Sequence, residues 1–385
     1  MKGWLPQHGR AMVLLAGLAA APFLTGCSNP DDPPPRDDFA VLARAEPGYR
    51  QARPGRSLHF PADHGAHPDY RIEWWYLTAN LRDDAGRAWG LQWTLFRTAT
   101  APPSARDTSP PANAWQSPQI YMAHFAISTP DGHREAQRYA RGGLHDGLAR
   151  AGANAWPFRA WLDDWTLAST TGDWLPLRLS ATAHPDGARL ELDSDRGLVL
   201  QGQNGFSRKH AGGGGSHYYS HPFLQARGEL TVDGRTIAVH GDAWLDREWS
   251  SQFLQTDQAG WDWFAVHLES GEKLMLFRVR PRDPTSGSPH VHGVLIQADG
   301  STRPLEPDLI EFRVLTRTPV AGHELPLHWR IRIPEIERVF EVRALYPDQW
   351  MDVDFAYWEG VVTVSGSGPQ NSGTGYLELT GYPRQ

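Results

Sequence analysis

EWWYLTANLRDDAGRAWGLQWTLFR, residues 73–97, alternates large apolar with polar side chains at the two-residue period of a strand, breaks once, and alternates again. Trp75, Leu77, Ala79 and Leu81 share one face of the first strand, and Trp89, Leu91, Trp93 and Leu95 share one face of the second. The two sets lie on the same side of a hairpin only when the numbers of paired residues add to an even sum. A three-residue loop, Asp84-Ala85-Gly86, satisfies that condition, with Gly86 free to take the positive φ such loops need. In this register Glu73 stands opposite Arg97, both pointing the same way as the tryptophans. An acid and its counter-ion at one end of an aromatic wall is either a binding-site device or a structural ion pair, since interior charges survive when paired.

Working outward, the same signals recur at residues 119–128, 175–183, 188–192 and 197–201. They return at residues 228–239, with a two-residue Asp233-Gly234 turn of the type I′ kind, then at 261–268, 273–280, 291–297, 327–333, 339–344, 357–366 and 375–382. No stretch holds a helical period for more than a couple of turns. With 38 glycines, 31 prolines and 17 tryptophans in 385 residues, the chain reads as all-β, two successive antiparallel barrels or sandwiches with the break near Pro222. The expected divisions are a leader over 1–27, a proline- and aspartate-rich tether over 28–56, and barrels over 57–222 and 223–385. The run SHYYSHP, residues 216–222, follows four glycines and reads either as a mobile flap over a cavity or as an interdomain connector.

The net charge of -7 argues against nucleic acid or an anionic membrane surface as electrostatic partners. The chain has one cysteine, Cys27. It follows a charged start (Lys2, Arg10), a short apolar run and Leu24-Thr25-Gly26, the pattern of a bacterial lipobox. Cys27 is therefore expected to carry a lipid anchor, placing the chain in the cell envelope facing the periplasm, with Ser28 leaning towards the outer membrane. No thiol is left for disulfide, zinc or nucleophilic chemistry.

The stretch most suggestive of chemistry is VHGDAWLDREWSS, residues 239–251. Extended, it sets His240, Asp242, Trp244, Asp246 and Glu248 on one face. GWDWF, residues 260–264, frames a further carboxylate, Asp262, between Trp261 and Trp263. A carboxylic acid lined by aromatic rings is desolvated, so it can stay protonated near neutrality and protonate an electron-rich alkene. The aromatic faces then stabilise the cation, and water adds with help from a second carboxylate or a histidine. The competing reading makes residues 246–248 a turn with surface ion pairs and the tryptophans core. There is no nucleophile elbow, P-loop, HExxH or dinucleotide fingerprint. His290 and His292 share a strand face but lack a third ligand nearby, so neither metal nor cofactor is expected.

EWWY…GLQWTLFR, SHYYSHP, GDAWLDREWSS, GWDWF and YWEG…GYLELTGY together resemble the carotenoid 1,2-hydratase/AttH family, in order from about His59 to the C-terminus. The resemblance implies paired lipocalin-like barrels and a hydrophobic ligand, in some members an acyclic carotenoid hydrated without a cofactor. More distant relatives steer cyclisation of polyenes. It carries Asp246, Glu248 and Trp249 onto the family's aspartate–arginine–glutamate–tryptophan block, and residues 261–263 onto its second block. Two functions follow as expectations. One is a lipid-anchored carrier of an isoprenoid or lipid, with an ABC transporter as its candidate partner. The other is a cofactor-free hydro-lyase or cyclase acting through acid catalysis. The candidate catalytic set is Asp246, Glu248, His240 and Asp262; the candidate ligand-binding set is Glu73, Trp75, Trp93, Arg97, Tyr219, Trp244, Trp261 and Trp263.

Overall fold

The computed structural model describes residues 46–105, 117–142, 150–285 and 287–384. Cys27, the lipobox and residues 28–45 of the expected tether lie outside them. The tether's last part does not behave as one: Tyr49 is buried and donates its hydroxyl to Ala99 O at 2.9 Å, while Arg50 N donates to Asp69 O at 2.9 Å. Within residues 46–56, Tyr49 and Ala52 are the buried side chains that dock the stretch on the first sheet's end.

The described strands form two curled antiparallel sheets, one of thirteen strands and one of ten. The opening hairpin is the pair Ile72–Asp83 and Ala88–Ala99, with Glu73 opposite Arg97 and Leu77 opposite Trp93. Its loop is tied by Asp83 N to Arg87 O, and Gly86 takes φ +77°. The second turn is also as read, with Asp233 and Gly234 both at positive φ between Gly215–Val232 and Arg235–Ser250.

The expected boundary at 222/223 is corrected. Pro222 lies inside the strand Gly215–Val232, and the first sheet continues to Ser250, because Arg235–Ser250 returns to pair with Ile72–Asp83. The missing N–H of Pro222 is absorbed where the register shifts between His221 and Leu224, a bulge rather than a break. SHYYSHP is therefore a buried central strand, not a flap. The chain passes to the second sheet through residues 251–257, before the strand Gln258–Leu268.

Burial explains the density of aromatics. Trp75, Leu77, Trp93, Trp165, Leu190 and Leu245 fill the first curl. Phe264, Trp329, Ile331, Trp358 and Leu377 fill the second. A third cluster, including Tyr76, Tyr218, Trp244, Trp263, Phe277, Tyr357 and Tyr376, lies between the sheets. Each fully buried large apolar side chain contributes about 1.5–3 kcal/mol of transfer free energy. Strands at the junction are buried on both faces, which is why their sequences show aromatics at odd and even positions alike.

Candidate functional site

Between the sheets lies a cavity of about 310 Å³, within the range of small-molecule sites. Three strands of the first sheet supply one wall. Ile72–Asp83 turns Trp74 and Tyr76 towards it, Gly215–Val232 turns Tyr218, and Arg235–Ser250 turns Asp246 and Glu248. The second sheet supplies Trp261 and Trp263 from Gln258–Leu268, Phe277 from Lys273–Pro281, Tyr357 from Tyr357–Gly366 and Glu378 from Gly373–Leu379. Ile120, Met122 and the half-exposed Tyr139 border it on the outer side of the first sheet.

Asp246 is the best-held group in this cavity. Its Oδ1 accepts from Trp244 Nε1 at 2.6 Å and Ser220 Oγ at 2.5 Å, and its Oδ2 from the Tyr218 hydroxyl at 2.5 Å. Trp263 Nε1 donates to the Tyr218 oxygen at 3.3 Å. Burial pushes the Asp246 carboxyl up to about 7, against the pull of those three donors and with the help of the Glu248 charge. Hydroxyls can donate to a carboxylate or accept from an acid, so the network is satisfied in either protonation state.

Glu248 forms a buried ion pair with Lys209, whose Nζ lies 2.8 Å from Oε1, and it also accepts from Ser216 Oγ. Burial lowers the Lys209 pKa from its usual value, opposed by Glu248. On the opposite wall, Trp261 Nε1 donates to Glu378 Oε2 at 3.1 Å. Burial raises the Glu378 carboxyl to about 8, and the charges of Asp246 and Glu248 add to the rise. Glu359, cross-strand from Glu378, hydrogen-bonds the Tyr76 hydroxyl and is pushed well above the carboxylate range by burial. Tyr357 completes this wall, 3.0 Å from His124 Nδ1. Three tryptophans thus spend their N–H groups on an acid or a phenol, leaving ring faces around a space flanked by acids that hold protons near neutrality. Such an arrangement can protonate an apolar, electron-rich substrate and stabilise the cation formed.

The expected residues divide. Asp246, Glu248, Trp261 and Trp263 border the cavity, and Trp244 lies directly behind Asp246. His240 is exposed at the far end of its strand, between Arg82 and Arg227 on its neighbours. Asp262 points away from the cavity, because a strand sends it opposite to Trp261 and Trp263. It is buried between Arg278 (2.5 Å), Arg280 (3.2 Å) and the Tyr382 hydroxyl (2.7 Å). Trp75 and Trp93 are inside the first curl, where Trp75 Nε1 donates to His64 O at 2.9 Å. Tyr219 likewise faces away from the cavity, its hydroxyl 2.6 Å from His64 Nδ1; Tyr218 takes the cavity position. Glu73 and Arg97 border the cavity but spend their charges on each other, and Glu73 also binds Arg247. Burial alone would raise the Glu73 pKa, but Arg97 and Arg247 outweigh it and hold the carboxyl well below its usual range. His290 Nε2 lies 2.9 Å from Arg208 O, and no group of three metal-ligating side chains occurs among the described residues.

Sequence reasoning missed Tyr76, Lys209, Tyr357, Glu359 and Glu378. The two glutamates carried a faint signal: each follows an aromatic of its own face, Tyr357 or Tyr376, by two residues in a strand whose other face is apolar.

A family model described as AttH-like matches residues 51–382. The crystal structure of a putative AttH from Nitrosomonas europaea is similar at 37% identity and a TM-score of 0.75, covering 87% of this chain and 100% of that one. Kievitone hydratase from Nectria haematococca (14% identity, TM-score 0.59, 88% of this chain and 98% of its own) and CghA (15%, 0.52, 87% and 94%) share the fold. No curated protein sequence is significantly similar to the chain.

Proposed function

The chain belongs to the AttH-like family, and from that premise we propose that it is a cofactor-independent hydro-lyase acting on a largely apolar alkene by acid catalysis. The observation that carries this reading is Asp246: a fully enclosed carboxyl, held protonated to about pH 7, facing aromatic rings across a cavity large enough for part of a ligand. A protein that only stores an apolar molecule gains nothing from burying acids there, since each must be desolvated. Asp246 supplies the proton to one alkene carbon. Trp261, Trp263, Tyr218 and Phe277 present π-faces to the cation. Glu248, kept as carboxylate by Lys209, takes a proton from the water that adds. The likeness to kievitone hydratase is one of fold and lends this reading only that.

A second reading keeps the cavity and omits the chemistry: a lipid-anchored, periplasm-facing carrier that hands its ligand to a partner such as a transporter. Its support is the lipobox at Cys27 together with the apolar lining. Organic extraction of the purified protein followed by mass spectrometry, wild type beside Asp246→Asn, separates the two. The hydratase reading expects a ligand heavier by one water in the wild type than in the variant. The same unmodified molecule in both would leave the carrier.

A further inference from the structure

The chain uses lysine sparingly, with Lys2, Lys209 and Lys273 its only lysines among 37 lysines and arginines. Other buried acids that form ion pairs do so with arginine: Glu73 with Arg97 and Arg247, Asp262 with Arg278 and Arg280, Asp83 with Arg87. Lys209 is the exception, and it borders the cavity. Its Nζ lies 2.8 Å from Glu248 Oε1 and 4.1, 4.8 and 5.1 Å from the ring centroids of Phe277, Phe253 and Tyr218. Its backbone is fixed, with N donating to Gly214 O at 2.9 Å and O accepting from Gln258 Nε2 at 3.0 Å. Lys273, by contrast, sits outside that cavity, 3.9 Å from Asp242. For an ion pair alone, arginine serves at least as well. What lysine adds is an amine that can lose its proton and become a nucleophile.

We propose that Lys209 is a carbonyl-capturing residue, forming a reversible imine with the aldehyde or ketone end of an apolar ligand held in the cavity. The proposal rests on the cavity's taking an apolar ligand, and it adds the chemistry of the ligand's polar end. The steps balance without an oxidant or reductant. The ammonium gives one proton to the Glu248 carboxylate, its immediate neighbour. The neutral amine attacks the carbonyl carbon as the C–O π bond breaks, and a second amine proton passes to the oxygen, giving a carbinolamine. Glu248 returns its proton to the hydroxyl, which leaves as water while the C=N bond forms. Amine and carbonyl become imine and water, and burial of the amine favours the neutral state from which this begins.

The test uses the full chain, dodecanal as probe and sodium cyanoborohydride to reduce any imine to a stable amine, followed by peptide mapping. Binding of dodecanol, which cannot form an imine, is followed separately by displacement of an apolar fluorescent dye. The proposal expects one reduced adduct per chain at Lys209, suppressed by excess dodecanol and lost in Lys209→Arg, which keeps the charge and still binds dodecanol. Dodecanol binding without an adduct at Lys209, or with equal labelling of Lys273, overturns the imine while sparing the cavity reading. Failure of the wild type to bind dodecanol and to form the adduct overturns both. Should Lys209→Arg not fold, Glu248→Gln provides the second check: loss of the adduct with dodecanol still bound supports the shuttle, and an undiminished adduct contradicts it.

Discussion

At Asp246, protonation and stability are linked. Its folded pKa of about 7 lies above the ~3.9 of an unfolded aspartate. Between those values the native state alone keeps the proton, so this contribution is intact at low pH and is lost as pH rises towards 7. Asp246→Asn removes the dependence. Denaturation at a series of pH values should show the variant gaining on the wild type, by up to about 1.4 kcal/mol for each pH unit in that window. A constant difference across it would mean that Asp246 is ionised throughout. Turnover should fall as pH rises through about 7, since the acid form is the working one. Glu73 has the opposite sign. Its folded pKa is depressed by Arg97 and Arg247, so its contribution is present above the usual glutamate value and fades as pH falls through the lower, folded one. Glu73→Gln leaves two buried guanidinium groups short of their counter-ion and should cost about 3–5 kcal/mol near neutrality, with a smaller loss in acid; urea denaturation measures both.

At the scale of elements, parity decides function. Neighbouring tyrosines on Gly215–Val232 point to opposite faces, so Tyr218→Phe and Tyr219→Phe should have different effects. The first removes a donor to Asp246 from the cavity wall and should change turnover and its pH profile. The second removes only the bond to His64 and should cost about 1 kcal/mol of stability with activity kept; equal effects on turnover would refute the assignment of faces. The same logic marks how much was legible beforehand. The hairpin register and both turns were readable, because period and glycine placement admit one solution. Which face of a doubly buried strand meets the cavity was not, because Trp75 and Trp74, or Tyr219 and Tyr218, are equally apolar. Asp262 was misassigned for the same reason: its flanking tryptophans look inward while it looks out to two arginines. Pro222 misled because a bulge can absorb what otherwise ends a strand. Gly90 marks a close approach between the sheets. A Cβ there would overlap the Val361 side chain and the Tyr376 hydroxyl of the second sheet. Gly90→Val should therefore cost about 1–3 kcal/mol by overpacking and weaken ligand binding, checked by denaturation and dye displacement.

For the whole molecule, the two curls are filled by their own side chains, so the space left for a ligand is the junction between them. All-β architecture and two sheets follow from alternation alone, whereas the junction depends on which strands pair across long separations, as Ile72–Asp83 does with Arg235–Ser250. That pairing brings Asp246 opposite a wall in which Tyr357 and Glu378 lie more than a hundred positions further on. The proposed acid catalysis makes a direct demand on the chemistry of the ligand. Reversible protonation of its alkene must place solvent hydrogen on carbon. The measurement is therefore mass spectrometry of the extracted ligand after incubation with purified protein in deuterium oxide. The account predicts carbon-bound deuterium with the wild type and none with Asp246→Asn, both proteins retaining the ligand. Bound ligand that never acquires deuterium in the wild type, or acquires it equally in the variant, would contradict it.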